Sequence, residues 1–517
     1  MPVSLAMALV FAVVTAGAPA QTSRAHNPVK TDVEGQTNEA HKPGQGSQKE
    51  PSGSLKGAWF QDVTDKSGIP PLKYSEGVNF CDMEGDGLPD LFVPVVKGKD
   101  RLYINKGNFR FEDITEADGI KGESGKDGIG AVFADFAGNG LKDLYIVKGA
   151  YPYGDNVMYL RKRDGRFTDV SVEAGVVNKK NGISAVAADF FGSGRPDIFV
   201  CNWGVNTFFR NVSKGGRLKF EDDTIKAGFG EEGMSWAAVV SDFNGDGRPD
   251  IFVCRGGYGK PESQQLYINN GDGTFADRTA ESGISGIDWS LGAVSADFNN
   301  DGLPDLFVTS YDGRDRLYIN QGGGRFRDVT DASGIDTGHS VGAAAADIDG
   351  DGLTDLVVAQ FAGPVKIFKN LGGGKFREVE NSGLGPWSRN EGVALADVNG
   401  DGAPDIYVSN YDGHNRLYRN LTGGRRLAIE IKGVRGAGTE AKLYRTKGGK
   451  KNLAGFQELP GVSGFCTQAP DEFLFSLPEK NARYDVEITF PGGGKKTLDN
   501  VRPGRLEVKS PANGKNQ

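Results

Sequence analysis

Reactive side chains are scarce in this chain of 517 residues, which has four cysteines and four histidines. Cys81, Cys201, Cys254 and Cys466 show neither CxxC nor zinc-like spacing, which excludes the common thiolate metal sites. Cys201 and Cys254 fall at equivalent places in neighbouring repeats, about one blade width apart, so the sequence assigns no disulfide pairing. His26 and His41 lie in a polar N-terminal stretch and His414 in a repeated segment, so none has a catalytic setting. GxSxG, HExxH and P-loop motifs are absent. Apolar residues make up only 38%, and no run beyond the N-terminus is apolar enough to cross a bilayer. What is abundant is glycine, with 77 copies, which fits short strands and turns better than a helical core.

Charge is unevenly spread. The net value of −8 divides into +7 from Arg425 onward and −15 before it, a balance that argues against nucleic acid as a partner. The acidic excess is of the kind that bound divalent cations offset. For the basic C-terminal part, a solvated lysine-rich surface competes with docking to something acidic.

The order of the chain follows a repeat. DFNGDGRPDIFV, Asp242 to Val253, has six relatives, beginning at Asp82, Asp135, Asp189, Asp297, Asp347 and Asp397 with gaps of 50 to 55 residues. Two further landmarks cycle with it, an F-x-D-V-T-like strand (first at Phe60, last at Phe376) and an LYIN-like strand (first at Leu102, last at Leu417). The first F-x-D-V-T copy precedes any Asp-rich loop, and the last LYIN copy is not followed by another. An array in that phase closes into a ring when its N-terminal strand completes its last unit, which removes exposed sheet edges. The fold expected is all-β: a seven-bladed β-propeller over residues 58–424, closed by the N-terminal strand, followed by a small β-sandwich-like domain over 425–510. Residues 1–20 read as a signal peptide with an Ala18-Pro19-Ala20 cleavage pattern, 21–57 as a disordered linker and 511–517 as a disordered tail. Export from the cytoplasm follows from that reading, with no transmembrane segment.

The Asp-rich loops carry the chemistry. A hard cation such as calcium takes six to eight oxygens, and an Asp/Asn/Gly loop offers side-chain oxygens at alternate positions with a backbone carbonyl between them. Five loops have oxygen ligands at all positions. They comprise Asp82, Glu84, Asp86, the Leu88 carbonyl and Asp90; Asp242, Asn244, Asp246, the Arg248 carbonyl and Asp250; Asp297, Asn299, Asp301, the Leu303 carbonyl and Asp305; Asp347, Asp349, Asp351, the Leu353 carbonyl and Asp355; and Asp397, Asn399, Asp401, the Ala403 carbonyl and Asp405. Four to five Ca2+ ions are therefore expected. The loops at Asp135 and Asp189 place Ala137 and Phe191 at an oxygen position and are expected empty or weak, held by hydrogen bonds to turn amides. The competing reading is Asx turns without metal, against which the complete copies argue.

These repeats resemble the FG-GAP or VCBS family, and residues 425–510 are similar to the ASPIC/UnbV domain at Val462 to Phe465, Phe473-Leu474-Phe475 and Val486 to Gly492. The order of the two resembles the cartilage acidic protein family. That resemblance implies a seven-bladed propeller with calcium in the loops, in a secreted or surface protein.

A ligand is expected on the face opposite the loops, where connections carry Trp203, Tyr258, Tyr311, Phe361 and Tyr411, with Trp236, Trp289, His339 and Trp387 nearby. Such rings stack on sugars or anchor proteins; alternatively they cover blade junctions. The function read from the sequence is a binding or scaffolding module for a protein or glycan. The alternatives are a polysaccharide-lyase-like enzyme, which needs Arg314 or Arg316 to converge with Tyr311, and a structural surface component.

Overall fold

The computed structural model describes residues 58–510, apart from 97, 121–127, 150–153, 258–261, 286–288, 386–387, 433–437, 460–463 and 492. The expected signal peptide, linker and tail, together with Tyr258 and Trp387, lie outside the described residues.

Each repeat forms a four-stranded antiparallel sheet in sequence order; the third, for example, runs Asn181–Ala188, Asp197–Trp203, Thr207–Asn211, Phe220–Asp222. Six sheets follow one another in this way. A seventh takes Asn390–Ala396, Asp405–Asn410 and Arg416–Asn420 from the end of the array and Phe60–Asp62 from its beginning, with Phe60 opposite Asn420. The inner strands adjoin one another, the first (Val78–Cys81) lying beside the last (Asn390–Ala396). Crowding near the axis explains their small residues. A Cβ on Gly292 would stand 2.6 Å from the Val341 carbonyl oxygen, and one on Gly342 would stand 2.6 Å from that of Glu391.

The F-x-D-V-T pattern is a capping device. In Phe326–Asp328 and the turn after it, the Asp328 carboxylate accepts the Thr330 amide at 2.9 Å, and the Thr330 hydroxyl accepts the Leu317 amide of the neighbouring strand at 3.0 Å. The same pair recurs as Asp222 with Thr224 and as Asp277 with Thr279. Asp62 and Thr64, at the start of the described chain, do this for the last repeat: Thr64 accepts the Leu417 amide at 2.9 Å.

The LYIN asparagine ties one sheet to the one before it. Asn320 donates to Pro304 O in its own loop and to Phe243 O in the preceding loop, at 2.9 and 3.0 Å. Asn211, Asn269, Asn370 and Asn420 bond likewise, and Asn105 reaches Val398 O at 2.8 Å, joining the first sheet to the last. In the second sheet Arg161 takes this place and donates to Met83 O.

Residues from Arg426 on build two further sheets, one of Glu472–Ser476, Arg426–Lys432 and Gly504–Lys509, the other of Lys450–Glu458, Glu440–Lys447, Arg483–Thr489 and Lys495–Val501. Leu427, Ile429, Leu443, Phe473, Phe475, Val486 and Ile488 fill the space between them as one apolar core. One segment of this unit enters the centre of the propeller. Gly464 bridges to Ala293, Thr467–Gln468 pairs in parallel with Val78 and Asn79, and the Gln468 side chain exchanges two hydrogen bonds with the Phe133 backbone at 2.8 and 2.9 Å.

Asn320→Ala leaves the buried Pro304 carbonyl without a donor and removes one of the two donors on that of Phe243, so it should destabilise the chain by about 2 kcal/mol. Urea unfolding of the variant checks this; an unchanged midpoint would mean that the tie between sheets contributes nothing.

Candidate functional site

The loops share one scaffold whether or not their ligand set is complete. The first aspartate turns its carboxylate onto loop amides: Asp242 accepts from Gly245, Asp246 and Gly247 at 2.9, 3.0 and 2.7 Å. In the incomplete loops Asp135 accepts from Asn139 and Gly140, and Asp189 from Ser193 and Gly194. The fifth-position residue forms an Asx turn, as when Asp301 accepts the Leu303 amide at 2.9 Å. Gly245 and Gly247 have φ of 80° and 83°, the left-handed geometry this wrap requires.

The last aspartate of each loop is buried and serves the fold directly. Asp250 accepts the Phe243 amide from its own loop and the Asn269 amide from the third strand, at 3.1 and 2.8 Å; Asp90, Asp305, Asp355 and Asp405 are placed in the same way. Burial pushes these carboxyls up, to about 7 for Asp90 and about 8 for Asp250 and Asp305, against the amide bonds that favour the anion. Asp143, in an incomplete loop, is raised to about 7 by the same burial. The shift therefore belongs to the scaffold rather than to the ligand set.

Among the described residues, one acidic group is already gathered as ligands would be: Asp347, Asp349 and Asp355 offer oxygens within 4.8 Å of one another. In three of the other complete loops Asn244, Asn299 and Asn399 are bonded to Asp246, Asp301 and Asp401 through their amides at 2.8 Å. Several loops also hold a side-chain cation. Lys369 bonds Asp349 and Asp351, and Arg248 pairs with Asp246 at 2.5 Å. The donor set, all oxygen on glycine-relaxed turns, fits a hard divalent cation.

The C-terminal unit sits on this loop face. Arg426 donates to Asp347 O and Ile348 O at 2.7 Å, Lys432 pairs with Asp82 at 3.2 Å and Arg505 with Asp397 at 3.4 Å. Lys142 pairs with Asp471, and Ser241 donates to Glu458. The sequence did not signal this docking: its lysines and arginines are scattered and match no motif.

On the opposite face the expected rings do come together. Trp203, Trp236, Trp289, Tyr311 and Phe361 follow one another with centroids 5.3, 6.1, 4.6 and 5.5 Å apart. Arg389 extends the row, its guanidinium 4.9 Å from the Phe361 ring and 3.8 Å from that of Tyr411, which meets Tyr74 edge-on at 5.4 Å. The floor of the row is buried and includes Trp236, Trp289 and Phe465 of the inserted segment, whereas Trp203, Tyr311 and Phe361 are half-buried. Arg314 and Arg316 are instead held by Asp331 at 2.5 Å and Asp328 at 3.1 Å.

Sequence reasoning missed Arg389, Glu391 and Glu76. Aligning the loops by register places Glu76 and Glu391 where the other repeats have Ile129, Ile183, Trp236, Leu291 and Val341. All seven are buried, and the five apolar ones pack against Phe465 and Cys466. Glu391 is raised to about 7 by burial, opposed by Arg389, whose Nε donates to it at 2.8 Å. The four cysteines are buried free thiols, with Cys201 pushed up to about 12.

Repeated four-stranded sheets with Asp-rich loops at one end and clustered rings at the other define a β-propeller repeat protein. The FG-GAP-like repeat matches residues 82–146, 135–200, 189–253, 242–308, 297–358 and 347–408, and the chain belongs to that family. It is similar to cartilage acidic protein 1 of Mus musculus, 26% identical over 290 residues, which cover 50% of this chain and 44% of the relative, and to that of Homo sapiens, 26% identical over 293 residues, 50% and 43%. The chain thus spans less than half the length of these relatives. Among solved structures it resembles an Agrocybe aegerita lectin specific for non-reducing terminal N-acetylglucosamine (TM-score 0.42, 19% identity, 78% of this chain and 100% of that one). It also resembles BBS1N from its complex with ARL6DN (TM-score 0.43, 12% identity, 70% and 98%). At these scores neither neighbour bears on what this chain binds.

The raised carboxyls set a pH dependence. Unfolded aspartate titrates near pH 3.9, so between there and about 8 the native Asp250 and Asp305 hold protons that the unfolded chain has lost. Their contribution to stability is complete below about pH 4 and is lost as pH rises through about 8. Thermal unfolding in chelator should show stability falling from pH 5 to pH 8, and a flat profile would contradict this placement of the protons.

Proposed function

We propose that the chain is a secreted, calcium-stabilised, closed seven-bladed propeller that binds a protein or glycan partner through the face opposite its loops, with an ASPIC/UnbV-like domain as its C-terminal unit. The observation that carries this reading is the division of labour between the faces. The loop face is covered by the C-terminal unit and the centre is filled by Gly464–Gln468, which leaves the row of rings to meet a partner. Its half-buried edge offers flat apolar surface with polar tips, which suits sugar rings and peptide anchors alike. Binding is favoured over lyase chemistry because Arg314 and Arg316 are engaged by Asp331 and Asp328, away from a shared centre with Tyr311.

Calcium in the five complete loops is supported by their oxygen donors and by the gathered Asp347, Asp349 and Asp355. Asp347→Ala should lower the melting temperature in calcium and have a smaller effect in chelator; equal shifts in the two would sink the ligand role. For the rings, Trp203→Ala combined with Tyr311→Ala should abolish capture on a glycan array or from an envelope extract while the unfolding midpoint moves little. Retained capture by a folded double variant would move the partner elsewhere.

A further inference from the structure

Along the row of rings the cations lie beneath and the anions outside. The Arg255 side chain is 6% exposed and that of Arg389 11%. Of the carboxylates they meet, Glu391 and Glu262 are largely enclosed, whereas the side chains of Glu231 and Asp412 are 58% and 66% exposed. Glu231 and the exposed Glu232 precede Gly233, which bonds Gly204 next to Trp203, so they border one end of the row. The exposed Asp312 follows Tyr311 in its middle, and Asp412 follows Tyr411 at the far end. The bases nearby do not offset this edge. Lys180 is held on the Val205 and Asn206 carbonyls, Arg314 pairs with Asp331, and Lys73 stands beyond Tyr411, beside Tyr74.

The chain itself shows what such a surface holds. The Arg389 guanidinium lies on the rings of Phe361 and Tyr411, with Glu391 2.8 Å from its Nε and Asp412 3.7 Å from its Nη1. A cation against ring faces with carboxylates at its edge is doubly favoured, by the ring quadrupoles and by charge-assisted contacts. The rings are also steeply inclined to one another, by 73° between Trp203 and Trp236 and by 69° between Tyr311 and Phe361. Rings set on edge form clefts rather than a shared flat platform of the kind a sugar chain stacks on. A planar guanidinium or a thin alkyl-ammonium chain fits a cleft, as Arg389 does. The next pair along the row, Tyr311 with Phe361, is half-buried and has Asp312 adjoining it.

We propose that the ring face takes a basic segment of a partner protein, whose Arg or Lys side chain lies against Tyr311 and Phe361 and reaches Asp312. Asp412 at one end of the row and Glu231 and Glu232 at the other meet the segment's flanking cations. The charge of −15 on the residues before Arg425 favours the approach of such a partner. This inference rests on the reading of the ring face as the binding surface and narrows the partner there to a basic protein.

The test uses the full chain and fluorescent hexa-arginine, hexa-glutamate and a neutral cello-oligosaccharide, with binding read by polarisation at low and high salt. Hexa-arginine should bind, more weakly as salt rises, and the other probes should not. Asp312→Asn combined with Asp412→Asn should weaken it roughly tenfold, and Trp203→Ala combined with Tyr311→Ala should abolish it. Asp499→Asn combined with Glu507→Gln removes the same charge from exposed places on the C-terminal unit and should change nothing. Equal weakening by the two carboxylate pairs, or no binding of hexa-arginine, would overturn the proposal. Capture of the cello-oligosaccharide through the rings, indifferent to Asp312 and Asp412, would overturn it while keeping the ring face as the binding surface. Insensitivity of every bound probe to the Trp203 and Tyr311 changes would remove the ring face itself. Self-association of the wild type, lost with the Asp312 and Asp412 changes, would assign the face to the lysine-rich end of a second copy and overturn a separate partner. The two Asn substitutions are also made singly, so that a folded variant remains: each should weaken hexa-arginine, and wild-type binding by both would refute the proposal.

Discussion

A buried aspartate side chain accepting two backbone amides is the interaction on which the propeller depends. The last aspartate of a loop, as at Asp250, holds that loop against the third strand of its own sheet. The asparagine whose amide it holds then reaches back to the preceding sheet, as Asn269 does to Phe190 O at 2.8 Å. Aspartate, asparagine and the foregoing loop thus form a relay that fixes the angle between successive sheets. Hydrophobic packing between sheets is non-directional; the relay supplies direction, and it is present in incomplete loops as well, through Asp143 with Arg161 and Asp197 with Asn211. The absence of a side-chain oxygen at Ala137 and Phe191 therefore leaves the architecture intact.

The centre of the ring poses the opposite problem, since inner strands of small residues leave an axial space that they cannot fill. The chain fills it with its own C-terminal unit. Phe465 and Cys466 complete the apolar layer of Ile129, Ile183, Trp236, Leu291 and Val341, and Thr467–Gln468 adds a short fifth strand to the first sheet. Glu76 and Glu391 interrupt that layer on adjoining strands, and Arg389 ties Glu391 to the rings of Phe361 and Tyr411. The axial filling and the aromatic face are consequently one continuous assembly, so a ligand on the rings would rest on a floor built partly by the distant end of the chain.

How much of this was legible follows from the range of the interactions. The sheets were readable because each landmark works locally: Asp and Thr cap a neighbouring strand start, Asn closes a relay, and glycines relax one turn. Even the phase of the array was informative, since Phe60–Asp62 had no loop before it and Arg416–Asn420 no outer strand after it, and the two pair. The loop oxygens were readable for the same reason. The docking of the C-terminal unit was not, because Lys432, Arg505 and Glu430 acquire meaning only beside Asp82 and Asp397, hundreds of residues away. Glu76 and Glu391 needed a register comparison, as each looks unremarkable within its own repeat. Of the five expected rim residues, Trp203, Tyr311, Phe361 and Tyr411 lie along one row, and Tyr258 falls outside the described residues.

The uneven charge finds its explanation in the same docking. The residues before Arg425 carry −15 and the C-terminal part +7, and the faces that meet are the acidic loops and a basic set of Arg426, Lys432 and Arg505. A lysine-rich surface facing water and an acidic partner were the competing explanations of that basic segment; for these three residues the acidic partner is the chain itself. Ion pairs on an open surface contribute little because solvent screens them. Here the cations enter a partly enclosed interface where the aspartates are already oriented by turn amides, so little ordering remains to be offset. Folding the basic unit onto the acidic face thus neutralises part of the charge that the repeats accumulate.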